Sequence, residues 1–228
     1  SRQIEFMNHW VHQMKTPISV INLLLQEQDI DRQSISEELE RLQNGLNTVL
    51  LSASLETFER DMKIERLNLK QLVQDTINEF KRLLISNKVF PVLDVDETLY
   101  LASDRKWLKI VIGQFITNAV KYTFEEGKRI YLTATCEGDQ ILFSVRDEGV
   151  GIPASDLNRV TTAFFTGENG RLTGESTGMG LYIAAEVCEK LGHELKITSE
   201  PTVGTTVLLT FSREQGGESF GTNRSTDG

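Results

Sequence analysis

Hydrophobic residues recur every three or four positions in two stretches near the start of the chain, and this spacing predicts two amphipathic helices. The two apolar series are Val11, Met14, Ile18, Ile21 and Leu25, then Ile35, Leu39, Leu42, Leu46, Val49 and Ala53. The short polar segment 29–34 between them favours an antiparallel helical hairpin. A lone hairpin cannot bury both apolar faces, so we expect a homodimer that forms a four-helix bundle. Packing of the hairpin on the rest of the same chain is the alternative.

The rest of the chain mixes helical periodicity with the alternating pattern of strands. The predicted elements are a helix over 69–86, strands in "KVFPVLDV" and "LYLAS", a helix capped by Asp104 that ends near Tyr122, a strand pair over 129–147 turned at 137–139, a helix ending at Leu191, and two closing strands. A Gly/Thr-rich segment of about thirty residues, 150–180, interrupts this series. Loops of that length inside a compact domain are usually functional, so we interpret it as a lid, with a disordered segment as the alternative.

These patterns divide the chain into four parts. Residues 1–58 form the hairpin, and the charged segment 59–65, which has no apolar face, is interpreted as a linker. Residues 66–213 form the mixed domain. The polar, Gly-rich tail 214–228 is expected to be disordered.

Composition limits the classes of function. The 228 residues leave room for one large domain or two modest ones. A net charge of −9 without a basic stripe argues against a nucleic-acid partner. No apolar run reaches the roughly 18 residues of a membrane span, so we expect this fragment to be cytoplasmic. Cys136 and Cys188 lie in no CxxC pair or ligand cluster, and we expect two reduced thiols.

The chain opens at Ser1 in the middle of a predicted helix. We therefore expect that an upstream region precedes it, which in the full-length protein would lie in the cell membrane.

Three familiar motifs fail on their details. "VRDEGVGIPA" formally fits the dinucleotide fingerprint G-x-G-x-x-A, but Pro153 lies inside it and no long apolar helix follows directly. No P-loop sequence is present. "DVDETL" has Leu99 where a calcium loop needs glycine, so a calcium site is rejected.

A nucleotide site explains several polar and glycine positions together. Asp147 precedes Gly149 and Gly151, so its carboxylate can accept a hydrogen bond from an exocyclic amine while the glycines let backbone approach a flat base. Gly178 and Gly180 stand at a predicted helix N-terminus, where free N–H groups favour phosphate.

The preceding helix adds further polar groups to this site. Gln114 and Asn118 are four residues apart on one face, and an Asn oxygen can serve a Mg²⁺ ion that also binds phosphate oxygens. Lys121 can contact phosphate, and Tyr122 can border the base or ribose. Each residue alone has an ordinary structural explanation. Together they predict a hydrogen-bond acceptor for an exocyclic amine, a metal ligand and a helix N-terminus that binds phosphate.

The ordered set "HQMKTP", "NAVKYT", "DEGVGIP", "AFFTG", "GMGL" and "VGTT" resembles the H, N, G1, F, G2 and G3 boxes of bacterial two-component sensor histidine kinases. It covers roughly residues 5–212. "WVHQMKTP" and "FFTGENGR" further resemble intramembrane-sensing kinases linked to peptide-antibiotic transporters. The resemblance implies an α+β multidomain fold, in which a dimerising α-helical hairpin precedes a two-layer α/β sandwich ATPase domain of the gyrase/Hsp90/histidine-kinase type.

The resemblance also implies roles for individual residues. Asn118 would chelate Mg²⁺, Asp147 would read adenine, and Phe164 and Phe165 would be the aromatic pair that docks the lid. The nucleotide-binding set that it implies is Asn118, Lys121, Tyr122, Asp147, Gly149, Gly151, Phe165, Thr177, Gly178, Met179, Gly180, Leu181 and Thr205. The implied catalytic set is His12, Gln13, Lys15, Thr16 and Gln114.

His12 is the expected phosphoacceptor. It lies one position off the apolar face set by Val11 and Met14, so it should face solvent, and Pro17 should kink the helix beside it. A neutral imidazole is a competent nucleophile toward phosphorus near physiological pH. His9 lacks the Lys-Thr-Pro context, and both it and His193 are interpreted as structural.

Two positions depart from the pattern of the family. Gln13 stands where most relatives have an acidic residue, which would accept a proton from the histidine ring, and Gln114 stands where many have Asn. Thr16 matches the position that orients water for phosphatase action. The resemblance thus implies a Mg²⁺- and ATP-dependent histidine kinase that passes phosphate to a response regulator. The alternatives are a phosphatase-biased or signal-gated member and a non-catalytic ATP-binding module. A membrane transporter is a further expected partner through the upstream region.

Overall fold

The structure, a computed structural model, describes residues 2–167 and 178–214. The predicted hairpin is confirmed: α1 (Arg2–Leu24) and α2 (Arg32–Glu56) are joined by the turn 25–31. Asp31 caps α2 by accepting hydrogen bonds from the backbone N–H groups of Gln33 and Ser34. The turn therefore ends earlier than the polar segment 29–34 indicates, because the cap lies inside that segment.

The two hairpin helices pack closely around Gly45. The indole N–H of Trp10 donates to the Gly45 carbonyl over 2.8 Å, and the Met14 side chain fills the space that a Cβ at Gly45 would need. Helix α1 runs through Pro17, which is buried, so the proline does not end the helix. His12 is exposed on the same helix, as its position off the apolar face predicts.

The mixed domain follows the hairpin. Its elements are α3 (Phe58–Asp61), β1 (Ile64–Asn68), α4 (Leu69–Glu79), α5 (Lys81–Ser86), β2 (Phe90–Asp94), β3 (Tyr100–Asp104), α6 (Arg105–Lys121), β4 (Arg129–Glu137), β5 (Gln140–Asp147), α7 (Ala154–Leu157), α8 (Gly180–Leu191), β6 (Glu194–Glu200) and β7 (Gly204–Ser212). The main sheet has the order β2-β4-β5-β7-β6, and β1 pairs separately with β3. Strand β2 runs parallel to β4, and the other pairs are antiparallel.

The charged segment 59–65, interpreted as a linker between the two domains, contains regular structure. Helix α3 and the first residues of β1 occupy it, and Phe58 is buried with its ring 4.9 Å from that of Trp107. The apolar signal here is too sparse for a pattern to appear, and the burial depends on a residue far away in sequence. The single helix expected over 69–86 is likewise two helices, which meet at Phe80.

Alternating strand residues and one face of α6 form the core. Ile141, Phe143 and Val145 of β5 are buried, as are Trp107 and many other residues of α6. Each such large apolar side chain contributes about 1.5–3 kcal/mol when fully buried. Asp104 caps α6 as predicted, because its carboxylate accepts from the Trp107 N–H over 3.0 Å. This packed layer fixes the C-terminal ends of α6 and β5 side by side.

Part of the hairpin surface is apolar and exposed. The exposed side chains include Val11, Ile18, Leu39 and Leu46, with 42% to 54% of their surface accessible. They belong to the two apolar series that predict helix pairing. Within the described residues, no helix is both long enough and apolar enough to cross a membrane.

The predicted tail 214–228 falls almost wholly outside the described residues. The last residues that are described, Arg213 and Glu214, donate backbone hydrogen bonds to the carbonyls of Asp139 and Tyr100. Cys136 and Cys188 are both free thiols, as expected.

Candidate functional site

A cleft of about 1210 Å³ opens between the mixed domain and the hairpin. It exceeds the roughly 300–1,000 Å³ of common small-molecule sites because the hairpin forms one of its walls. The structure brings most of the predicted site residues to its surface. These are Gln13, Thr16, Gln114, Asn118, Lys121, Tyr122, Asp147, Gly151, Phe165, Gly178, Gly180, Leu181 and Thr205.

The other predicted residues lie elsewhere. His12 and Lys15 are exposed on α1, whereas Gln13, Met14, Thr16 and Pro17 of the same helix line the cleft. Met179 is buried in the hydrophobic core, since it precedes α8 with its side chain turned inward. Thr177 lies outside the described residues.

Asp147 ends strand β5 at the base of the cleft. Its Oδ1 accepts hydrogen bonds from the backbone N–H groups of Gly149, over 2.9 Å, and Thr205, over 3.1 Å. Burial raises the pKa of this carboxyl above its ordinary value, although the two N–H groups oppose the effect. The backbone thus orients one oxygen and leaves the other to a ligand.

Glycines around Asp147 are required by close backbone contact. Gly149 lies against the Tyr122 carbonyl, and a Cβ at Gly151 would overlap the Glu200 carbonyl. Gly151 also has a φ of +72°, in the left-handed region that favours glycine. The loop after Asp147 can therefore pass close to both neighbouring segments.

The opposite end of the cleft offers groups for phosphate. Helix α8 begins at Gly180, and the Gln114 side-chain oxygen lies so close that it would be 2.6 Å from a Cβ there. Asn118 and Lys121 stand on the last turns of α6 facing the same space. Free N–H groups at a helix start, an ammonium group and an amide oxygen suit a phosphate chain.

The donor set fits Mg²⁺ only when phosphate is present. Within residues 2–167 and 178–214, no three His, Cys, Asp or Glu side chains cluster as a metal site. Asn118 supplies one oxygen, and Mg²⁺ commonly takes one or two protein ligands together with phosphate oxygens and waters. The residues therefore fit a metal ion that arrives with a nucleotide.

The predicted lid, 150–180, contacts the hairpin at Phe164. The Phe164 ring stacks on His9 with centroids 4.7 Å apart and lies 5.5 Å from the ring of Phe6. The Phe164 N–H donates to the Gly178 carbonyl over 2.9 Å, which joins the middle of the lid to its C-terminal part. The sequence predicts an aromatic docking pair, but it does not identify α1 as the surface where Phe164 docks.

The hairpin wall of the cleft carries charges that the sequence patterns did not single out. Glu37, Glu40 and Arg41 of α2 line it. Arg41 forms a 2.7 Å ion pair with Glu38, which is buried between the helices. From sequence alone, charged residues on an amphipathic helix are expected to face solvent. Only the packing of the two domains shows that these charged residues line the cleft.

Ser199 is a second residue that sequence reasoning missed. Its hydroxyl accepts from the Ile152 N–H over 2.7 Å and lies 2.8 Å from the Thr205 hydroxyl. Ser199 and Thr205 are direct partners in the β6–β7 pairing. A strand alternation can assign a serine to one face, but it does not reveal the partner across the strand pair.

Comparison with known proteins shows what the chain is similar to. Residues 103–215 match the family described as histidine kinase-, DNA gyrase B- and HSP90-like ATPase. Sensor histidine kinase YxdK of Bacillus subtilis is 44% identical over 210 residues, which cover 92% of this chain and 65% of YxdK. The chain is similar to sensor histidine kinases over most of its length.

Other sensor histidine kinases extend the match. GraS of Staphylococcus haemolyticus is 30% identical over 210 residues, covering 91% of this chain and 60% of GraS. The structure of the histidine kinase ThkA in complex with response regulator TrrA shares the fold, with a TM-score of 0.73 and 19% identity. That match covers 92% of this chain and 61% of ThkA. The chain spans a little less than two thirds of the length of the curated relatives it matches.

Proposed function

We propose that the chain transfers the γ-phosphoryl group of ATP to His12, from which an aspartate of a response regulator receives it. One observation carries the proposal. Asp147, Asn118 and the start of α8 at Gly180 line one cleft, and the other wall of that cleft is the hairpin that bears His12. Binding of Mg²⁺ and ATP requires a hydrogen-bond acceptor for the adenine amine, a metal ligand and a helix N-terminus that binds phosphate.

Each group has a specific task in binding. The second carboxylate oxygen of Asp147 accepts a hydrogen bond from the adenine amine. Lys121 and the N-terminal N–H groups of α8 hold phosphate oxygens, while Tyr122 borders the ribose or base. Mg²⁺, held through Asn118, would neutralise charge on the phosphate chain. Positioning and charge stabilisation supply most of the catalysis in phosphoryl transfer.

The reaction exchanges one bond at phosphorus for another. A ring nitrogen of His12 attacks the γ-phosphorus, the bond to the β–γ bridging oxygen breaks, and ADP leaves. The proton on the other ring nitrogen is lost to solvent, because Gln13 can accept a hydrogen bond but cannot hold a proton as a carboxylate would. We therefore expect autophosphorylation to be slow.

Isotope position tests this proposal. ATP labelled at the γ-phosphate should transfer label to the protein in an acid-labile form, whereas ATP labelled at the α-phosphate should not. Asn118→Ala should remove the signal, because the metal loses its protein ligand. If the wild type binds ATP with Mg²⁺ but takes up no label, the kinase proposal fails and a non-catalytic ATP-binding module is favoured.

A phosphatase-biased protein is the second candidate. It is favoured by the exposure of Gln13 and Thr16 to the cleft, since both lie where a water could be oriented. Gln13→Glu should then raise autophosphorylation, and Thr16→Ala should slow the loss of phosphate from the response regulator. If Gln13→Glu leaves autophosphorylation unchanged, the idea that Gln13 limits the kinase is refuted.

A homodimer through the hairpin is part of the same proposal. The exposed apolar residues Val11, Ile18, Leu39 and Leu46 support it, because a soluble monomer would leave them in water. Leu46→Lys should convert the dimer to a monomer in light scattering after gel filtration. Leu39→Ala, which keeps the surface apolar, should only weaken it. A wild type that is monomeric at high concentration would refute this part.

The remaining partners and the location follow the family. The ThkA structure, which is a complex with a response regulator, supports a response regulator as partner, and we place its docking surface on the hairpin beside His12. The sensor names of YxdK and GraS support a full-length protein in the cell membrane. The cytoplasmic side for this part, and a transporter as an upstream partner, rest on the resemblance of "WVHQMKTP" and "FFTGENGR" to the intramembrane-sensing kinases. Membrane fractionation of the full-length protein tests the location, and co-purification with the transporter tests the partner.

A further inference from the structure

Ser199 joins three segments at the base of the cleft. Its hydroxyl oxygen receives the Ile152 N–H over 2.7 Å, contacts the Gly204 carbonyl at 2.9 Å, and lies 2.8 Å from the Thr205 hydroxyl oxygen. Ile152 belongs to the loop after Asp147, whereas Gly204 and Thr205 begin β7. One side chain in β6 thus contacts both the loop after Asp147 and the start of β7.

The chemistry of these partners determines where the protons lie. An N–H group can only donate and a carbonyl can only accept, so Ser199 accepts from Ile152 and uses its single proton on Gly204. The third contact must then be a hydrogen bond that Thr205 donates to Ser199. By this count Thr205 has no proton left for the cleft, and its hydroxyl oxygen presents lone pairs only.

Asp147, next to Thr205, also presents a hydrogen-bond acceptor to the cleft. Its Oδ1 is occupied by the N–H groups of Gly149 and Thr205, and within the described residues its Oδ2 receives no hydrogen bond. Both Asp147 and Thr205 line the cleft. The base-binding end therefore offers two acceptors next to each other and no hydroxyl donor from Thr205.

We propose that Ser199 is a positioning residue that sets base selectivity by holding Thr205 as an acceptor. Two acceptors match the exocyclic amine of adenine, which has two hydrogens, and oppose the carbonyl oxygen at the same position of hypoxanthine or guanine. Removal of the Ser199 hydroxyl lets the Thr205 proton turn toward the base, where it can donate to that carbonyl oxygen. The proposal rests on the nucleotide-binding part of the proposed function.

ADP and IDP test the assignment, because they differ at this position of the base and neither can phosphorylate the protein. Affinities of both are measured by calorimetry with Mg²⁺. Ser199→Ala should reduce the ratio of ADP affinity to IDP affinity by about tenfold or more. The IDP affinity itself should stay the same or rise. Ser199→Thr, which keeps a hydroxyl on a strand position, should restore the preference.

Ser144→Ala is the matched control. It deletes a hydroxyl that is hydrogen-bonded to Thr133 over 2.9 Å in the same sheet, away from the cleft, and should leave the preference unchanged. If Ser199→Ala weakens ADP and IDP by the same factor, or changes neither, Ser199 only supports the loops and the proposal is overturned. If the wild type binds neither nucleotide, the proposed ATP site itself fails, and the role of Ser199 with it.

Discussion

The ring of Phe164 stacks on the ring of His9, with the planes 20° from parallel and the centroids 4.7 Å apart. His9 lies three residues before the predicted phosphoacceptor, so the predicted lid and the phosphoacceptor helix are in direct contact. In this arrangement Gln13 and Thr16 line the nucleotide cleft while His12 is exposed outside its lining. The proposed transfer to His12 would therefore require the mixed domain to move along or around α1.

Removal of the Phe164 ring should ease that movement. An aromatic pair contributes about 0.5–1.5 kcal/mol beyond burial, so Phe164→Ala should raise the autophosphorylation rate by about two- to tenfold. ATP affinity should be unchanged. Phe90→Ala, which removes an exposed ring from the distant edge strand β2, is the control. A slower rate at unchanged ATP affinity would mean that the stack belongs to the transfer-competent arrangement.

Asp147→Asn should lower the ATP affinity without lowering the stability of the fold. Because burial raises the pKa of Asp147, its contribution to stability is fully present below the unfolded pKa of about 3.9 and is lost as pH rises through the folded pKa. At pH 7 the Asp147→Asn variant should thus unfold in urea at an equal or higher midpoint. Its ATP affinity should fall about 10- to 100-fold, since a hydrogen bond to a charged acceptor is lost.

Asp96→Asn is the control for that change. Asp96 accepts a hydrogen bond from the backbone N–H two residues later, as Asp147 does, but it is exposed and hydrogen bonds from Thr98 lower its pKa. This variant should be slightly less stable at pH 7 and bind ATP normally. Equal ATP affinity in the Asp147→Asn and Asp96→Asn variants would contradict the assignment of Asp147 as the acceptor of a hydrogen bond from the adenine amine.

Gly151→Ala and Gly127→Ala form a matched pair. Both glycines have positive φ, +72° and +80°, so an alanine at either should lose roughly 1–2 kcal/mol of stability. A Cβ at Gly127 meets nothing within 4 Å, whereas one at Gly151 overlaps the Glu200 carbonyl. Urea unfolding should show a larger loss at Gly151, and only that variant should lose ATP binding. Similar losses of stability and of ATP binding in the two variants would mean that the positive φ alone, and not the overlap with the Glu200 carbonyl, causes them.

His193 should make stability depend on pH. It is half-buried, lies 2.7 Å from the Ser103 hydroxyl, and this partial burial lowers its pKa from 6.5 to about 4. A lowered folded pKa means that its contribution is present above pH 6.5 and is lost as pH falls toward 4. The urea midpoint of the wild type should therefore drop between pH 7 and 4.5 more than that of His193→Gln. Parallel curves would contradict this.

The sequence predicted the elements whose signals are local. Period-3.6 and period-2 patterns identified the hairpin, α6 and the β4–β5 pair, and the Asp104 cap was correct because a cap depends on the next three residues. The polar and glycine residues of each predicted site segment are close together in sequence, so the sequence could group them, and most of them line one cleft. Their roles toward a nucleotide, which the resemblance to sensor histidine kinases implies, stay predictions.

The features that sequence reasoning missed all depend on distant partners. Phe58 is buried because it meets Trp107, and Phe164 docks on His9 across 155 positions of chain (164 − 9). Ser199 gains its role from a strand register that places it opposite Thr205. No local pattern encodes which surfaces meet, so these contacts required the folded structure.

The most direct test of the central claim compares two histidines on one helix. His12 and His9 are three residues apart on α1, and each is replaced by Gln before incubation with γ-labelled ATP and Mg²⁺. The account predicts that His12→Gln abolishes the acid-labile label, whereas His9→Gln keeps it, at a rate equal to or above that of the wild type. Label that survives in His12→Gln, or disappears in His9→Gln alone, would contradict the assignment of His12 as phosphoacceptor.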